Sequence, residues 1–258
     1  MMKFLFAFFI AAVVFSSCIP SLKVRGNGDP IDHKEWTALV KKHVDEEGLV
    51  DYKGFIADTN KLNIYLKKLS DNAPAKKWTD NEEIAYWLNA YNAFTVKYIV
   101  DNYPVKSIKD LGADKPIIFI NSAWDQKFFS INGRKMDLNN IEQRILRQNF
   151  KEPRIHFALN CASMSCPKLR KEAFEANQLD KQLTDAAKVF LADNNRNKIN
   201  EGKVSAIFDF YTQDFTKWTG KSLVDYINQF SATKLKEGQK IEYLEYDWSI
   251  NEQGKKFQ

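Results

Sequence analysis

Apolar side chains recur at helical spacing along much of the chain, and this pattern predicts a protein built mainly from helices. The longest such segment, 81–102, follows Thr79 and Asp80, which are residues that begin helices well, and it stops before Pro104. Its apolar residues cover nearly every side, so we expect a helix that is buried all round. The other predicted helices are 33–44, with Asp32 as its N-cap, and 59–69, 137–149, 179–191 and 222–230.

A few short segments have the composition and spacing of strands. Asn132-Gly133 separates two apolar runs and predicts a hairpin. The segment 154–161 reads as a buried strand, and 241–250 as an extended terminus. The remaining strand predictions are 117–120 and a small hairpin from 198–199 to 204–205. We therefore expect an α+β fold, in which a single helix-rich domain packs around a small mixed or antiparallel sheet with a long buried central helix.

The first residues have the pattern of an export signal. Lys3 precedes an unbroken apolar run over 4–15, which is too short for a membrane-spanning helix but typical of a signal peptide. Ser16-Ser17-Cys18 then resembles the bacterial lipoprotein box, in which Cys18 becomes the lipid-bearing N-terminus. An ordinary secretory signal that ends near a cysteine is the alternative. The predicted divisions are a signal peptide at 1–17, a lipid-anchored tether at 18–30 and a globular domain at 31–258.

Charge and motifs limit the possible partners. The formal net charge is +5, without a basic block that contains interleaved aromatic residues, so nucleic acid is not an expected partner. Nucleotide-binding, zincin and α/β-hydrolase motifs are absent from the sequence, and we expect no cofactor and no metal. The expected partners are the membrane, through the lipid on Cys18, and an unidentified small-molecule or peptide ligand. The expected location is the cell envelope, facing the periplasm.

Five stretches together resemble the DUF547 family, a domain of unknown function found in bacterial envelope proteins and in some plant and animal proteins. The resemblance extends from Trp36 to Asn251. Because the family has no known activity, it implies an envelope protein without implying a reaction. The stretches are AYWLNAYNAF (Ala85–Phe94), IEQRILR (Ile141–Arg147), PRIHFALNCASMSCPKL (Pro153–Leu169), IFDFYTQDF (Ile207–Phe215) and EYDWSIN (Glu245–Asn251).

The long helix carries one candidate polar surface. At 100° per residue, Glu82, Tyr86 and Asn89 share a face, and Asn92 lies slightly to the side. These side chains could form the polar wall of a binding cleft, with Asn89 orienting a catalytic imidazole. The alternative, which we favour, is a structural hydrogen-bond network that satisfies buried polar groups.

A second candidate cluster follows within thirteen residues. On a strand, Arg154, His156 and Asn160 would share one face, while Cys161 would lie on the other, about 16 Å from His156. This geometry excludes a His156–Cys161 dyad. Cys166 is better placed, because Pro167 could begin a helix whose N-terminus lowers the thiol pKa. His156 would then serve as the base for a Cys166 nucleophile.

Three alternatives compete with a free thiol. In an oxidising envelope, Cys161 and Cys166 could form a disulfide, which would remove the nucleophile. His156 could instead be a core histidine that bonds to the Asn89 and Asn92 amides. Zinc would have only three nearby ligands where a structural site needs four.

The sequence supports two functional hypotheses. The first is an uncharacterised, membrane-anchored envelope lipoprotein whose DUF547-like domain is a binding or structural module with a polar His/Asn/Cys pocket. The alternative is a cysteine-dependent hydrolase or acyl transferase acting on amide or peptide-like envelope substrates. Both hypotheses stay open at this point, and so does the question of enzymatic activity.

Overall fold

The computed structural model describes residues 20–112 and 122–257. The predicted signal peptide with Cys18 and the predicted strand at 117–120 lie outside these residues. Within the described ranges, no helix is both long enough and apolar enough to cross a membrane.

Helices dominate the structure and confirm the predicted helix-rich α+β fold class. Each long predicted helix except 137–149 is present as an α-helix, with ends that differ from the prediction by a few residues. The α-helices are α1 (Lys34–His43), α2 (Tyr52–Ala57), α3 (Thr59–Asp71), α4 (Asp80–Asn102), α5 (Arg147–Phe150), α6 (Leu179–Ala192), α7 (Ile207–Phe210), α8 (Thr212–Thr216) and α9 (Leu223–Phe230).

The central helix α4 is fixed at its start by reciprocal hydrogen bonds. The Thr79 hydroxyl accepts a bond from the Glu82 backbone N–H, and the Glu82 carboxylate accepts one from the Thr79 N–H. This capping box satisfies two backbone donors that would otherwise lack partners. From Ile84 to Val96 the helix is buried on all sides, as its apolar pattern predicted. It packs against α2, α3 and the segment that precedes α5.

The strands form two separate pairs. β1 (Phe129–Ile131) and β2 (Arg134–Met136) make the predicted antiparallel hairpin. Asn132 and Gly133 both have positive φ, at 49° and 72°, which is the backbone geometry of a tight two-residue turn. β3 (Lys203–Ser205) pairs in parallel with β4 (Glu242–Leu244). The predicted hairpin at 198–205 is a short 3-10 turn with one bridge instead, so β3 takes its partner from the C-terminal part of the chain.

Two segments differ from their predicted conformation. Residues 137–149 were expected to be a regular α-helix, but Asn140–Leu146 is π-helical and α5 continues it. Hydrophobic periodicity does not distinguish an α-helix from a π-helix over so short a segment. Residues 154–161 were expected to be a strand, but Pro153–Phe157 is a 3-10 helix. The physical reason is local: Pro153 suits the first helical turn, and the Glu152 side chain accepts a bond from the Arg154 N–H.

Buried apolar side chains form two clusters that meet at this 3-10 helix. The larger cluster surrounds α4, and the smaller one joins α6 to α9. Ile155 belongs to the larger cluster, and Phe157 to the smaller. His156, between them in sequence, therefore lies where the two clusters meet.

Candidate functional site

A cavity of about 190 Å³ opens at the junction of the two apolar clusters. Most of its lining consists of aromatic and apolar side chains, with a few polar groups among them. All five stretches that carry the family resemblance contribute to it. Representative lining residues from these stretches are Tyr91, Glu142, His156, Cys161, Cys166, Tyr211 and Trp248.

His156 lies against this cavity and is held by a buried carboxylate. Its Nε2 is 2.8 Å from Asp214 Oδ2, and its ring stacks on Tyr211 with 3.7 Å between ring centroids. Arg147 donates two hydrogen bonds to the same carboxylate, at 2.5 and 2.6 Å. His156 Nδ1 has no hydrogen-bond partner within the described residues, and His156 is one of the residues that line the cavity.

Burial and charge fix the protonation of this pair. Burial lowers the pKa of His156, although the neighbouring Asp214 acts in the opposite direction, so the imidazole is neutral near pH 7. Burial alone would raise the pKa of Asp214. Hydrogen bonds from His156 and Arg147 outweigh that effect and hold the Asp214 pKa below its ordinary value. The carboxylate is thus ionised and fixes the imidazole, in the way that a catalytic or ligating histidine is oriented.

Glu142 supplies a second carboxylate to the cavity. It lies on the π-helical segment, and its Oε1 accepts hydrogen bonds from the Tyr211 hydroxyl at 2.5 Å and the Gln143 amide at 3.0 Å. Burial raises the pKa of Tyr91 and Tyr211 well above the ordinary value, and the Glu142 charge adds to the effect. Both tyrosines therefore stay protonated. The π winding is a local irregularity of the kind that is frequent at functional sites.

Cys161 and Cys166 are joined by a disulfide that forms part of the cavity wall. Three groups approach the Cys166 sulfur: the Cys161 backbone N–H at 3.0 Å, the Ser163 hydroxyl at 3.1 Å and the Tyr246 hydroxyl at 3.3 Å. Cys166 is buried, whereas Cys161 is partly exposed. Of the two alternatives, a disulfide and a free thiol, the structure therefore contains the disulfide.

The loop that carries the disulfide is held from two directions. Ala162 has a left-handed backbone with φ of 60°, which is costly for a residue other than glycine. The Asn160 carboxamide stabilises the turn, because its Oδ1 accepts from the Ala162 N–H and its Nδ2 donates to the Pro167 carbonyl. On the other side, Met164 donates to the Ser249 carbonyl in the C-terminal segment.

Two geometric expectations about this cluster were wrong. The strand that would have placed His156 and Cys161 on opposite faces does not exist, and both residues line one cavity. Cys166 was expected to begin a helix before Pro167, but the following residues have no helical structure. Any lowering of the thiol pKa would have to come from the donors around the sulfur rather than from a helix terminus.

The amides of α4 serve the fold instead of the cavity. Asn89 bonds to both the N–H and the carbonyl of Phe174, at 2.9 and 2.8 Å. Asn92 likewise bonds to the Asn160 N–H and the Ala158 carbonyl, at 2.9 and 3.0 Å. The expectation that His156 bonds to these two amides was wrong, because Asp214 holds the imidazole.

The other candidates from the sequence also lie away from the cavity lining. Tyr86 donates its hydroxyl to the Leu69 carbonyl at 2.6 Å, and Glu82 belongs to the cap of α4. Arg154 forms ion pairs with Glu152 and Asp180 beside a different surface depression. The structure thus keeps His156, Cys161 and Cys166 together at the cavity, and it separates them from Glu82, Tyr86, Asn89 and Arg154.

Sequence reasoning missed several residues that build the site. Asp214, Arg147, Glu142 and Tyr211 were not identified as candidates, although they lie in the quoted IFDFYTQDF and IEQRILR stretches. A sequence signal was present, because these polar residues interrupt otherwise apolar segments. Spacing along the chain could not indicate that the two stretches meet at His156.

The described residues contain no group of three or more His, Cys, Asp or Glu side chains that could hold a metal ion. The other two histidines make their hydrogen bonds to other residues. His33 pairs with the Tyr65 hydroxyl at 2.7 Å, and His43 with Asp58 at 2.9 Å.

Fold and site together define a helix-rich α+β protein with a histidine and a disulfide at an aromatic cavity. The sequence model of the DUF547 family, described as "Protein of unknown function, DUF547", matches residues 75–191 of this chain. The matched segment contains His156, the two cysteines and Glu142, while Asp214 and Tyr246 lie beyond it. No curated protein and no solved structure matches the chain.

The structural role of Asn89 can be tested by comparing two asparagines of the same helix. We expect Asn89→Ala to lower the free energy of unfolding by about 3 kcal/mol, because it leaves the buried Phe174 N–H and carbonyl unpaired. Asn81→Ala is the control, since Asn81 is exposed and makes one long contact; its effect should stay within about 0.5 kcal/mol. Urea unfolding measures both, and equal effects would contradict the assigned role.

Proposed function

We propose that this protein is a membrane-anchored envelope lipoprotein whose DUF547 region binds a small ligand in the cavity at His156. The observation that carries the proposal is the oriented imidazole. His156 lines the cavity and is fixed by Asp214 through Nε2, and its Nδ1 makes no hydrogen bond to another described residue.

The lining supports binding of a compact molecule. At about 190 Å³, the cavity is smaller than the pockets of about 300 Å³ or more that take drug-sized ligands. It combines apolar walls with a few fixed polar groups, which is the usual composition of a ligand site. His156 and Glu142 provide the polar groups, and both are held by neighbours before any ligand arrives. Such preorganisation reduces the entropic cost of binding.

Fluorine-labelled tryptophan provides a direct test of ligand binding. The chain has six tryptophans, of which Trp124 and Trp248 line the cavity. We expect small fragments to shift the 19F resonances of these two residues in the 5-fluorotryptophan-labelled full chain, because a bound fragment changes their surroundings. Trp124→Phe and Trp248→Phe variants assign the two signals.

Trp36, Trp78 and Trp87 are internal controls for this measurement, because they are buried and do not line the cavity. His156→Gln should weaken the fragments that bind through the imidazole. If no fragment shifts the Trp124 or Trp248 signal more than the control signals, the binding proposal is wrong.

The lipid anchor is a separate part of the proposal. Support comes from the apolar run that precedes Ser16-Ser17-Cys18, and from the Cys161–Cys166 disulfide, since disulfides persist mainly in oxidising compartments such as the periplasm. Several acyl chains on Cys18 would be sufficient for stable membrane attachment.

Metabolic labelling tests the anchor. Bacteria that express the full chain with an alkyne-bearing fatty acid should incorporate the label into the protein, and the labelled protein should sediment with membranes. Cys18→Ala should abolish labelling, because it removes the sulfur that accepts the lipid. Labelling that persists in this variant, or a soluble and unlabelled unmodified protein, would refute the anchor.

A second candidate function is thiol catalysis in a reduced form of the protein. The specific observation is the set of donors at the Cys166 sulfur: the Cys161 N–H and the Ser163 and Tyr246 hydroxyls. Hydrogen bonds to a thiolate favour the ionised form and lower the thiol pKa. An external dithiol would first reduce the disulfide and become oxidised itself.

The reaction would then be hydrolysis or acyl transfer at an amide. His156 first takes the proton of the Cys166 thiol; the thiolate attacks the carbonyl carbon, and as the C–N bond breaks His156 passes that proton to the departing amine. Water or another acceptor then cleaves the thioester and frees the thiolate. His156 and Asp214 would occupy the roles of base and orienting carboxylate.

Alkylation kinetics test this second candidate. Intact mass should show no alkylation of Cys161 or Cys166 before reduction and two additions afterwards. After reduction, iodoacetamide should modify Cys166 in the Cys161→Ser variant faster than it modifies a model thiol at pH 7. The Cys166→Ser variant is the matched control for Cys161. If neither thiol reacts faster than the model compound, the catalytic candidate fails and the binding proposal is unaffected.

A further inference from the structure

We infer that the ligand of this cavity is a small organic ammonium ion, a primary or methylated amine held by Glu142 and the surrounding aromatic rings. This inference rests on the proposed binding function and names the chemical class of its ligand. It depends on three properties of the cavity: the sign of its charge, the composition of its walls and its size.

Charge is the first property. Glu142 is the acidic side chain that lines the cavity, and no lysine or arginine from the described part of the chain lines it. Only 6% of the Glu142 surface is exposed. A buried carboxylate is costly unless a positive charge or sufficient hydrogen bonds compensate it.

The two carboxylates of the site differ in how they are compensated. Asp214 pairs with the Arg147 guanidinium through two hydrogen bonds. Within the described part of the chain, Glu142 bonds to neutral groups, the Tyr211 and Tyr91 hydroxyls and the Gln143 amide. Burial lowers the pKa of His156, so the imidazole stays neutral and does not supply the missing charge. Counting Glu142, Asp214 and Arg147, the site has one excess negative charge that a cationic ligand would balance.

The walls are the second property. Tyr91, Trp124, Tyr211, Tyr246 and Trp248 all line the cavity. Aromatic rings attract cations through their quadrupole, and groups of them bind ammonium ions in proteins. Two of these rings already lie close to a positively charged side chain that is not part of the cavity lining. The Lys109 ammonium lies 5.2 Å from the Trp248 ring centroid, and the Arg147 guanidinium lies 5.1 Å from that of Tyr211.

Size is the third property. An engineered apolar protein cavity of about 150 Å³ holds one benzene molecule. The present cavity, at about 190 Å³, is slightly larger and therefore suits a short alkylamine or a trimethylammonium group. A whole peptide would not fit, although an amine-bearing end of a larger molecule would.

Pairs of isosteric probes separate charge from shape. Choline and 3,3-dimethylbutan-1-ol have nearly the same shape, and so do n-butylammonium and butan-1-ol, but only the first member of each pair is charged. Titration of the full chain, followed by calorimetry and by the 19F signals of Trp124 and Trp248, gives the affinities. We expect at least one ammonium ion to bind, at least tenfold more tightly than its neutral partner.

Glu142→Gln removes the charge while it retains the shape and the acceptor oxygen. We expect it to weaken ammonium binding about tenfold and to leave binding of the neutral probe unchanged. Glu201→Gln is the control, because Glu201 is an exposed carboxylate in a turn away from the cavity. The probe pairs test the unmodified chain, so the inference is testable even if Glu142→Gln fails to fold.

The outcomes distinguish the inferred cationic ligand from the proposed ligand-binding function on which it rests. Neutral fragments that bind as well as the ammonium ions would overturn the cationic ligand and leave the binding cavity intact. Absence of any shift at Trp124 and Trp248, with both charged and neutral probes, would overturn both. Ammonium binding that Glu142→Gln does not weaken in a folded protein would also overturn the assigned role of Glu142.

Discussion

The buried carboxylate of Asp214 connects the two halves of the site. It accepts hydrogen bonds from Arg147, which follows the π-helical segment, and lies 2.8 Å from the His156 imidazole at the junction of the apolar clusters. Loss of this carboxylate would leave a buried guanidinium without a counter-charge and an imidazole without a fixed orientation, and breaking a buried pair in this way is strongly destabilising. The orientation of the His156 imidazole, on which the Tyr211 ring stacks, depends on it.

Buried polar groups in this protein divide into two kinds. Asn89 and Asn92 use their amide groups to hold irregular backbone against α4, and their hydrogen bonds are to main-chain atoms. Glu142 and His156 bond mainly to other side chains and line the cavity. The first kind makes a rigid frame. The second kind depends on that frame, which holds the charged Glu142 and the neutral His156 at the wall of an apolar cavity.

Sequence patterns predicted the helices well, because their apolar spacing records which faces are buried. They predicted the α4 amides as structural and placed the Asn132-Gly133 turn correctly. They failed at 154–161, where an apolar run fits a strand and a 3-10 helix equally, and Pro153 decided the conformation. Asp214 could not be predicted as the partner of His156, since their contact depends on how α8 packs, which no local pattern specifies.

The C-terminal segment that carries Tyr246 and Trp248 has a consequence for the order of events during folding. The cavity takes its lining from Tyr91 on α4 through to Trp248, so contacts distant in sequence must form before it closes. Loop-closure entropy makes such contacts late. A chain stopped before Tyr246 would therefore lack a wall of the site even with α4 in place. Ligand binding at this cavity would then report that the whole fold is complete.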